Sequence, residues 1–298
     1  MPTTFKHLKP EDVRKLKNYE LSARLMVEGW LSGRHRSRQR GSSIEFHEYR
    51  GYTPGDDPKL VDWRVFARTD RVFLKTFEQE TNMEMHLFVD SSASMGFPLV
   101  EGVTKLDHAS FFAACMAWLV VRQTDKVSLH LFDDRIRTAL PLGSTRTHLH
   151  QCLNALENNK PGNKTSLAAA LERSLPVLNR RGTLVILSDF YEDPAAVFKA
   201  LNPYIHRGFR IHLFQVLTPM ELDLGEVGLA RFTDLETGEK LTIHSQQVRE
   251  SYREAVRLRI QTLRTLAVSR RVDWMLARTD ESYFALLDRL TAHAGMGG

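Results

Sequence analysis

Oxygen-bearing side chains recur in this sequence at positions where they could bind a metal cation. Asp90, Ser92 and Ser94 form a D-x-S-x-S pattern directly after an apolar run. Thr165 stands at the head of a predicted helix, and Asp189 follows a second apolar run. Two carboxylates and three neutral hydroxyls suit a small, hard cation such as Mg²⁺, which keeps water in its remaining positions. Because the set contains neither thiolates nor imidazoles, zinc and copper are disfavoured.

The elements that must position these side chains alternate along the chain. Predicted strands cover residues 83–89, 126–132, 136–140, 183–187, 210–216 and 272–276, and predicted helices cover 106–122, 145–157, 165–178 and 194–204. Several strands are apolar on both faces, which predicts a doubly wound, mostly parallel α/β sheet covered by helices on two sides. Open sheets of this class bind ligands beyond the carboxyl ends of their strands, which is where Asp90 and Asp189 fall.

The first quarter of the chain has a different pattern. Residues 10–32 show helical spacing, and we expect Gly33 to end that helix. Short extended pieces at 44–49 and 72–80 follow, too short and polar to form a core of their own. We therefore predict an N-terminal segment, residues 1–80, that packs on the α/β domain.

The α/β domain itself is predicted to span residues 81–298 and to carry an insertion at about 217–268. The insertion consists of a hairpin at 231–243 and an amphipathic helix at 246–267. It lies before the last predicted strand, and we expect its helix to cover the domain rather than to bind a membrane.

The composition is that of a globular protein, with 298 residues, 42% hydrophobic and 26% charged. No apolar run reaches the length of a transmembrane helix, and the N-terminus lacks the apolar centre of a signal peptide. A cytoplasmic location is therefore expected, with any membrane association peripheral and through partners. Cys115 and Cys152 lie in apolar surroundings and are expected to be buried thiols.

The excess positive charge lies mostly in residues 1–80, which hold 16 basic and 12 acidic side chains. It is concentrated in four arginines, Arg34, Arg36, Arg38 and Arg40. They could form a solvated loop, or they could bind an acidic surface of a partner protein. No helix-turn-helix, zinc-finger spacing or aromatic platform accompanies them, so nucleic-acid binding is not expected.

The order of the D-x-S-x-S pattern, the threonine and the aspartate resembles the metal-ion-dependent adhesion site of von Willebrand factor A-type domains. The resemblance covers residues 83–216 and the strand at 272–276. Upstream, residues 41–46, Tyr49-Arg50, residues 52–57, residues 61–64 and Ala67-Arg68 resemble the signature of the bacterial "domain of unknown function fifty-eight" family. Members of that family carry a von Willebrand A-like domain and are typically encoded beside MoxR-type AAA+ ATPases.

The resemblance implies a non-enzymatic, metal-dependent protein-binding adaptor or chaperone-like factor that acts with a MoxR-type AAA+ ATPase. Mg²⁺ (or Mn²⁺) would be bound directly by Ser92, Ser94 and Thr165, and directly or through water by Asp90 and Asp189. An Asp or Glu side chain of a client protein would complete the coordination. The sequence departs from the family at residues 190–191, where Phe-Tyr stands in place of a common glycine.

The signature segment also contains residues that could form a buried or half-buried Arg–Asp network. These are Arg50, Asp56, Asp57, Asp62, Arg64 and Arg68, with Trp63 interpreted as a packing anchor. A docking surface for a partner is the alternative interpretation of the same residues.

A Mg²⁺-dependent hydrolase that uses Asp90 and Asp189 is the alternative function. The sequence has no G-x-S-x-G motif and no second acidic cluster for another metal. Residues 162–165 lack the full spacing of a phosphate-binding loop, so nucleotide hydrolysis is assigned to a partner. A binding function is therefore preferred.

Overall fold

The computed structural model describes residues 18–38, 50–51, 61, 63–69, 71–74, 83–100, 103–178, 181–224, 228–233 and 239–294. The chain divides into two units. The larger comprises Met1–Leu31 with Met83–Gly298, and the smaller is Ser32–Asn82. The first described helix thus begins in the larger unit, whereas we expected a single N-terminal segment up to residue 80. The packing of that segment on the α/β domain stays a prediction.

The N-terminal helix α1 spans Tyr19–Arg38. The predicted end at Gly33 is wrong, because α1 continues through this glycine into the arginine cluster. One glycine inside a helix costs only about 1 kcal/mol relative to alanine, and arginine favours helix. Ala23, Met26 and Trp30 face the core of the larger unit, where Trp30 Nε1 donates a hydrogen bond to Asp288 at 2.8 Å.

The smaller unit contains a short antiparallel pair and one helix. Strand β1, Arg50–Gly51, pairs with β2, Phe73–Leu74, and helix α2 covers Trp63–Thr69. The predicted extended piece at 44–49 lies outside the described residues, and only Phe73–Leu74 of the piece at 72–80 is described as strand.

The larger unit alternates strands and helices as predicted. In chain order its elements are β3 (Glu84–Asp90), β4 (Pro98–Val100), β5 (Val103–Thr104), α3 (Lys105–Arg122), β6 (Lys126–Phe132), β7 (Ile136–Gly143), α4 (Arg146–Glu157), α5 (Leu167–Ser174), β8 (Thr183–Ser188), α6 (Pro194–His206), β9 (Arg210–Leu217), α7 (Pro219–Leu222), β10 (Leu229–Thr233), β11 (Lys240–His244), α8 (Ser245–Ser269), β12 (Asp273–Arg278) and α9 (Tyr283–Ala294). A 3₁₀ turn at Ala93–Gly96 follows β3.

Six of these strands form one sheet in the order β12-β9-β8-β3-β6-β7. All neighbours are parallel except β6 and β7, which are antiparallel at the edge. The predicted doubly wound, mostly parallel sheet is confirmed. Strands β3 and β8 are direct neighbours, and their carboxyl ends therefore lie side by side.

Both faces of the sheet are covered by apolar side chains. Successive residues of β8 alternate between two cores: Val185 and Leu187 join the core beneath α3, α4 and α9, whereas Leu184 and Ile186 join the core beneath α5, α6 and α8. Because both faces of β8 are buried, residues 184–187 are all apolar and do not alternate between apolar and polar. The central strands are held from both sides, so their carboxyl ends form a rigid base for the loops.

The insertion has the predicted form, with an antiparallel hairpin of β10 and β11 followed by the long helix α8. Helix α9 was not predicted, although Tyr283, Leu286, Leu287 and Leu290 have helical spacing and are buried. Cys115 and Cys152 are free and buried, as expected. Among the described helices, none has both the length and the apolar character needed to cross a bilayer.

Candidate metal centre

Asp90 ends β3 and is fully buried, yet its carboxylate accepts three hydrogen bonds. The backbone N–H of Ser92 donates to Asp90 Oδ1 at 2.9 Å. Two hydroxyls donate to Oδ2, Thr165 Oγ1 at 2.9 Å and Ser188 Oγ at 2.6 Å. Ser92 Oγ and Ser94 Oγ form their own hydrogen bond at 3.0 Å. The structure thus gathers four of the five predicted residues around one carboxylate.

The loops that carry these residues are joined through their backbones. The N–H of Ala93 donates to Asn163 O at 2.8 Å, and the N–H of Gly162 donates to Ser91 O at 2.7 Å. Asp133, directly after β6, accepts a hydrogen bond from the N–H of Asn163 at 3.2 Å. Any Cβ at Gly162 would collide with the Asp133 carboxylate, so this close approach requires glycine. The Ser91–Ser94 and Thr165 loops are therefore fixed relative to each other.

Asp189, the fifth predicted residue, follows β8 and is also fully buried. Its Oδ2 accepts a hydrogen bond from Lys105 Nζ at 2.8 Å, and Lys105 Nζ also donates to Glu221 Oε1 at 2.7 Å. Burial alone would lower the pKa of Lys105, but the two carboxylates outweigh it and raise the pKa. Asp189 therefore belongs to a buried ion trio, Lys105–Asp189–Glu221, rather than to the hydroxyl cluster alone.

The electrostatics of the site leave negative charge uncompensated. Burial first, and the nearby negative charge of Asp189 second, raise the pKa of Asp90 to about 7, although the hydrogen bonds from Ser188 and Ser92 act to lower it. Lys105 Nζ contacts Asp189 and Glu221 but not Asp90 in the described contacts. When ionised, the three carboxylates carry two negative charges more than this one ammonium group offsets. A divalent cation carries the matching charge and would favour the ionised form of Asp90.

The donor set also fits a hard cation. In the part of the chain that the structure describes, no group of three or more His, Cys, Asp or Glu side chains converges on one point. A cation here would therefore rely on hydroxyl and water oxygens besides Asp90 and Asp189, a set that suits Mg²⁺ or Mn²⁺. Bound there, the cation would supply an open coordination position with much of its positive charge retained.

The loop after Asp189 shows what replaces the glycine expected from the family resemblance. Phe190 has a φ of 55°, in the left-handed region that favours glycine, and its side chain is buried. Its N–H donates to Ser188 Oγ at 3.0 Å, and the N–H of Tyr191 donates to Asp189 Oδ1 at 3.3 Å. The glycine-like backbone is thus kept while a phenylalanine occupies the position.

The four arginines predicted to bind a partner have no described contact with this site. Arg34, Arg36 and Arg38 lie on helix α1, so the expected loop at these positions is helical, and Arg40 lies outside the described residues. Their side chains are not described, and partner binding through them stays a prediction.

The predicted Arg–Asp network falls mostly on residues without a side-chain description. Asp56, Asp57 and Asp62 lie outside the described residues, and of Arg50 and Arg64 only the backbone is described. Arg68 is exposed. The interpretation of Trp63 as a packing anchor is wrong, because 61% of this residue is exposed and its ring contacts Phe66 only edge to face.

Sequence reasoning missed Ser188, Lys105 and Glu221. Glu221 had a local signal, since Thr218 and Glu221 form a capping box at α7 in which Glu221 Oε2 accepts the N–H of Thr218 at 2.8 Å. Lys105 follows the capping residue Thr104 at the start of an otherwise apolar helix. A buried lysine needs carboxylate partners, so this position could have suggested a search for them.

The mostly parallel sheet, with a hydroxyl-rich carboxylate cluster at its carboxyl edge, agrees with the doubly wound α/β fold that the sequence resemblance implies. The chain belongs to the family described as protein of unknown function DUF58, whose sequence pattern matches residues 48–261. An uncharacterized protein of Mycobacterium tuberculosis (strain ATCC 25618 / H37Rv) is 29% identical over 232 residues, which cover 77% of this chain and 72% of the relative.

Two solved structures share the fold. BatB from Bacteroides thetaiotaomicron has a TM-score of 0.50 and 16% sequence identity, and an aerotolerance-related membrane protein from Bacteroides fragilis NCTC 9343 has a TM-score of 0.51 and 15% identity. Each comparison covers 72% of this chain and 99% of the other. At these identities the similarity concerns the fold alone.

Proposed function

We propose that this chain is a metal-dependent protein-binding module. Mg²⁺ or Mn²⁺ would be held by Asp90, Ser92, Ser94, Thr165 and Asp189, and an Asp or Glu side chain of a client protein would complete the coordination. The observation that carries the proposal is the convergence of the Thr165 and Ser188 hydroxyls and the Ser92 N–H on the buried carboxylate of Asp90.

The chain's own residues have distinct tasks in this proposal. Asp90 orients the hydroxyls through its hydrogen bonds, and the joined loops keep them at the sheet edge. Lys105 holds Asp189 and neutralises part of its charge. A cation bound mainly by neutral hydroxyls keeps more of its charge than one surrounded by carboxylates, and it therefore attracts an incoming carboxylate.

Charge around the site supports an acidic partner. Lys160 and Lys164 are exposed on the loop that leads to Thr165, Arg135 is exposed on the turn after β6, and Arg137 is exposed near the start of β7. Arg137 Nη1 donates to Lys160 O at 2.6 Å, which ties these two segments together. Basic side chains at the rim would attract a negatively charged protein surface before contact.

Within this proposal the partner is a MoxR-type AAA+ ATPase, with a client protein that offers the acidic residue. The family membership supports this choice through the resemblance described above. The chain would act as an adaptor or chaperone-like factor in the cytoplasm, with nucleotide hydrolysis supplied by the ATPase.

A hydrolase with the same aspartates is the less favoured alternative. Among the described contacts of Asp90, the partners are two hydroxyls and a backbone N–H, and none of these is a general base. Asp189 Oδ2 is engaged in an ion pair with Lys105.

The test is affinity purification from the native host, with tagged wild-type protein and with Thr165→Ala and Ser92→Ala variants. We expect an AAA+ ATPase to be recovered with the wild type in Mg²⁺, and to be reduced in both variants or when a chelator is present. Thr147→Ala removes an exposed hydroxyl elsewhere and serves as the matched control. Equal recovery from all proteins, with and without chelator, would exclude the cation from partner binding.

A further inference from the structure

Arg259 of the inserted helix α8 reaches the loop that follows Asp189. Its Nη2 donates to Phe190 O at 2.7 Å and to Glu192 O at 2.8 Å. Its guanidinium also lies 5.3 Å from the centroid of the Tyr191 ring, and Lys105 Nζ lies 5.6 Å from the same centroid. One arginine from the insertion thus holds three consecutive residues of the loop next to the candidate metal centre.

This loop needs an external restraint. Phe190 adopts a left-handed backbone that a side chain disfavours, so the loop conformation persists only when the surroundings hold it. The two carbonyls that Arg259 contacts lie on either side of Tyr191. A hydrogen bond to a charged donor is stronger than one between neutral groups, so Arg259 is a suitable source of that restraint.

The same loop also holds the start of α5, which follows Thr165. The Glu192 carboxylate accepts hydrogen bonds from the N–H of Leu167 at 2.8 Å and from the N–H of Ala168 at 3.4 Å. Arg259 fixes the backbone of Glu192, and Glu192 fixes the segment directly after Thr165. The restraint from α8 therefore extends to two of the three segments that carry predicted metal ligands, those of Asp189 and Thr165.

Helix α8 is itself fixed to the segment that carries Glu221. Tyr252 Oη donates to Glu221 O at 2.8 Å, and Arg249 forms two hydrogen bonds with the Asp223 carboxylate, at 2.7 and 2.8 Å. The helix thus contacts the ion trio on the Glu221 side and the Asp189 loop on the other side.

We propose that Arg259 is a positioning residue that sets the cation affinity of the site by holding residues 190–192 in place, with Phe190 in its left-handed conformation. The insertion is thereby the element that controls the metal centre, and this inference rests on the function proposed above. Loss of Arg259 would free the loop, and the cation would then have to order it on binding.

The experiment compares wild type with Arg259→Ala, Arg259→Lys and Arg257→Ala. Arg257 lies on the same helix, and its partner among the described contacts is Glu254, three residues earlier, so its variant is the matched control. The Mg²⁺ concentration that gives half of the maximal thermal shift is measured for each protein. We expect this midpoint to rise about tenfold in Arg259→Ala and less in Arg259→Lys, and to stay unchanged in Arg257→Ala.

Hydrogen exchange without metal gives a second measurement, independent of cation binding. The amides of Tyr191 and Leu167 should exchange faster in Arg259→Ala than in wild type or Arg257→Ala. An unchanged Mg²⁺ midpoint in a folded Arg259→Ala protein would overturn the proposal, even if its melting temperature fell. If Arg259→Ala does not fold, the same criterion applies to Arg259→Lys. If Mg²⁺ has no effect on wild type, the proposed function fails, whereas the exchange rates still show whether Arg259 holds the loop.

Discussion

Thr165 Oγ1 lies 2.9 Å from Asp90 Oδ2, although 75 residues separate them along the chain. The hydrogen bond joins the end of β3 to the loop before α5, and backbone hydrogen bonds between the same loops accompany it. These hydroxyls are therefore already held close together without a bound cation. A site built in this way loses little conformational freedom when a cation binds.

Asp90→Asn should remove the response to Mg²⁺ while the fold is kept. The amide has the shape of the carboxylate, and it removes the repulsion between Asp90 and Asp189 that contributes to the raised pKa. We expect the wild type to gain thermal stability in millimolar Mg²⁺, because binding to the folded state alone stabilises it. The variant should match or exceed the wild type without metal and gain nothing with it.

The measurement is thermal unfolding with increasing Mg²⁺ or Mn²⁺, with Ca²⁺ and added NaCl as controls for ionic strength. Asp193→Asn is a matched control, because Asp193 caps α6 and asparagine can keep that cap. A Mg²⁺-dependent shift of equal size in Asp90→Asn would contradict a cation site at Asp90.

Lys105→Met should destabilise the protein strongly in the absence of metal. Lys105 is fully buried and is the shared partner of Asp189 and Glu221. Its removal leaves two buried carboxylates facing each other, and breaking a buried pair in this way costs about 3–5 kcal/mol. The free energy of unfolding from urea denaturation measures the loss, with the exposed Lys199→Met as control.

The same variant should respond more strongly to Mg²⁺ than the wild type. Without the ammonium the site carries three carboxylates, and a divalent cation then relieves more repulsion. If Mg²⁺ stabilises Lys105→Met no more than it stabilises the wild type, the ion trio and the cation site are not electrostatically connected.

Neutralisation of Arg34, Arg36, Arg38 and Arg40 by glutamine should weaken binding to an acidic partner and leave the fold intact. The backbone of 34–38 is helical, and glutamine has a helix propensity close to that of arginine. Binding to the recovered partner, measured at low and high salt, should fall several-fold at low salt. A binding constant identical to that of the wild type would leave the arginines as a solvated surface.

The regular elements of the larger unit could be predicted because their patterns are long and repeated. The bounds of β6 agree with the prediction at both ends, and α3 begins one residue earlier than expected. The prediction that Asp90 and Thr165 lie close together needs only the rule that ligand-binding loops lie at the carboxyl ends of parallel strands. These inferences need only local periodicity and one topological rule.

The ion trio could not be predicted in the same way. Lys105 and Glu221 lie 116 residues apart and meet only when the start of α3 packs against α7. The position of Lys105 at the start of an apolar helix hints at burial, but it does not identify Glu221 as the partner. The left-handed backbone of Phe190 is likewise imposed by Ser188 and Arg259, not by the preference of phenylalanine. Tertiary contacts of this kind leave no pattern in a single sequence.

Stability should fall as the pH decreases from about 6.5 towards 4, partly through His86. Burial lowers the pKa of His86 from 6.5 to about 4. Between these two pH values His86 is therefore neutral in the folded state and protonated in the unfolded chain. The unfolded state then binds more protons, and unfolding becomes more favourable as pH falls. This one histidine lowers the free energy of unfolding at pH 5 by about 2 kcal/mol relative to pH 7.

His86→Asn should remove that share of the pH dependence. His86 Nδ1 forms a hydrogen bond with Ser128 Oγ at 2.7 Å, and the amide of asparagine can replace this contact without titrating. Urea denaturation measures the free energy of unfolding at pH 7 and at pH 5. The difference between these two values should be smaller in the variant than in the wild type by about 2 kcal/mol. An equal loss of stability in His86→Asn and wild type would mean that His86 takes up its proton without unfolding, and that its burial does not govern the acid sensitivity.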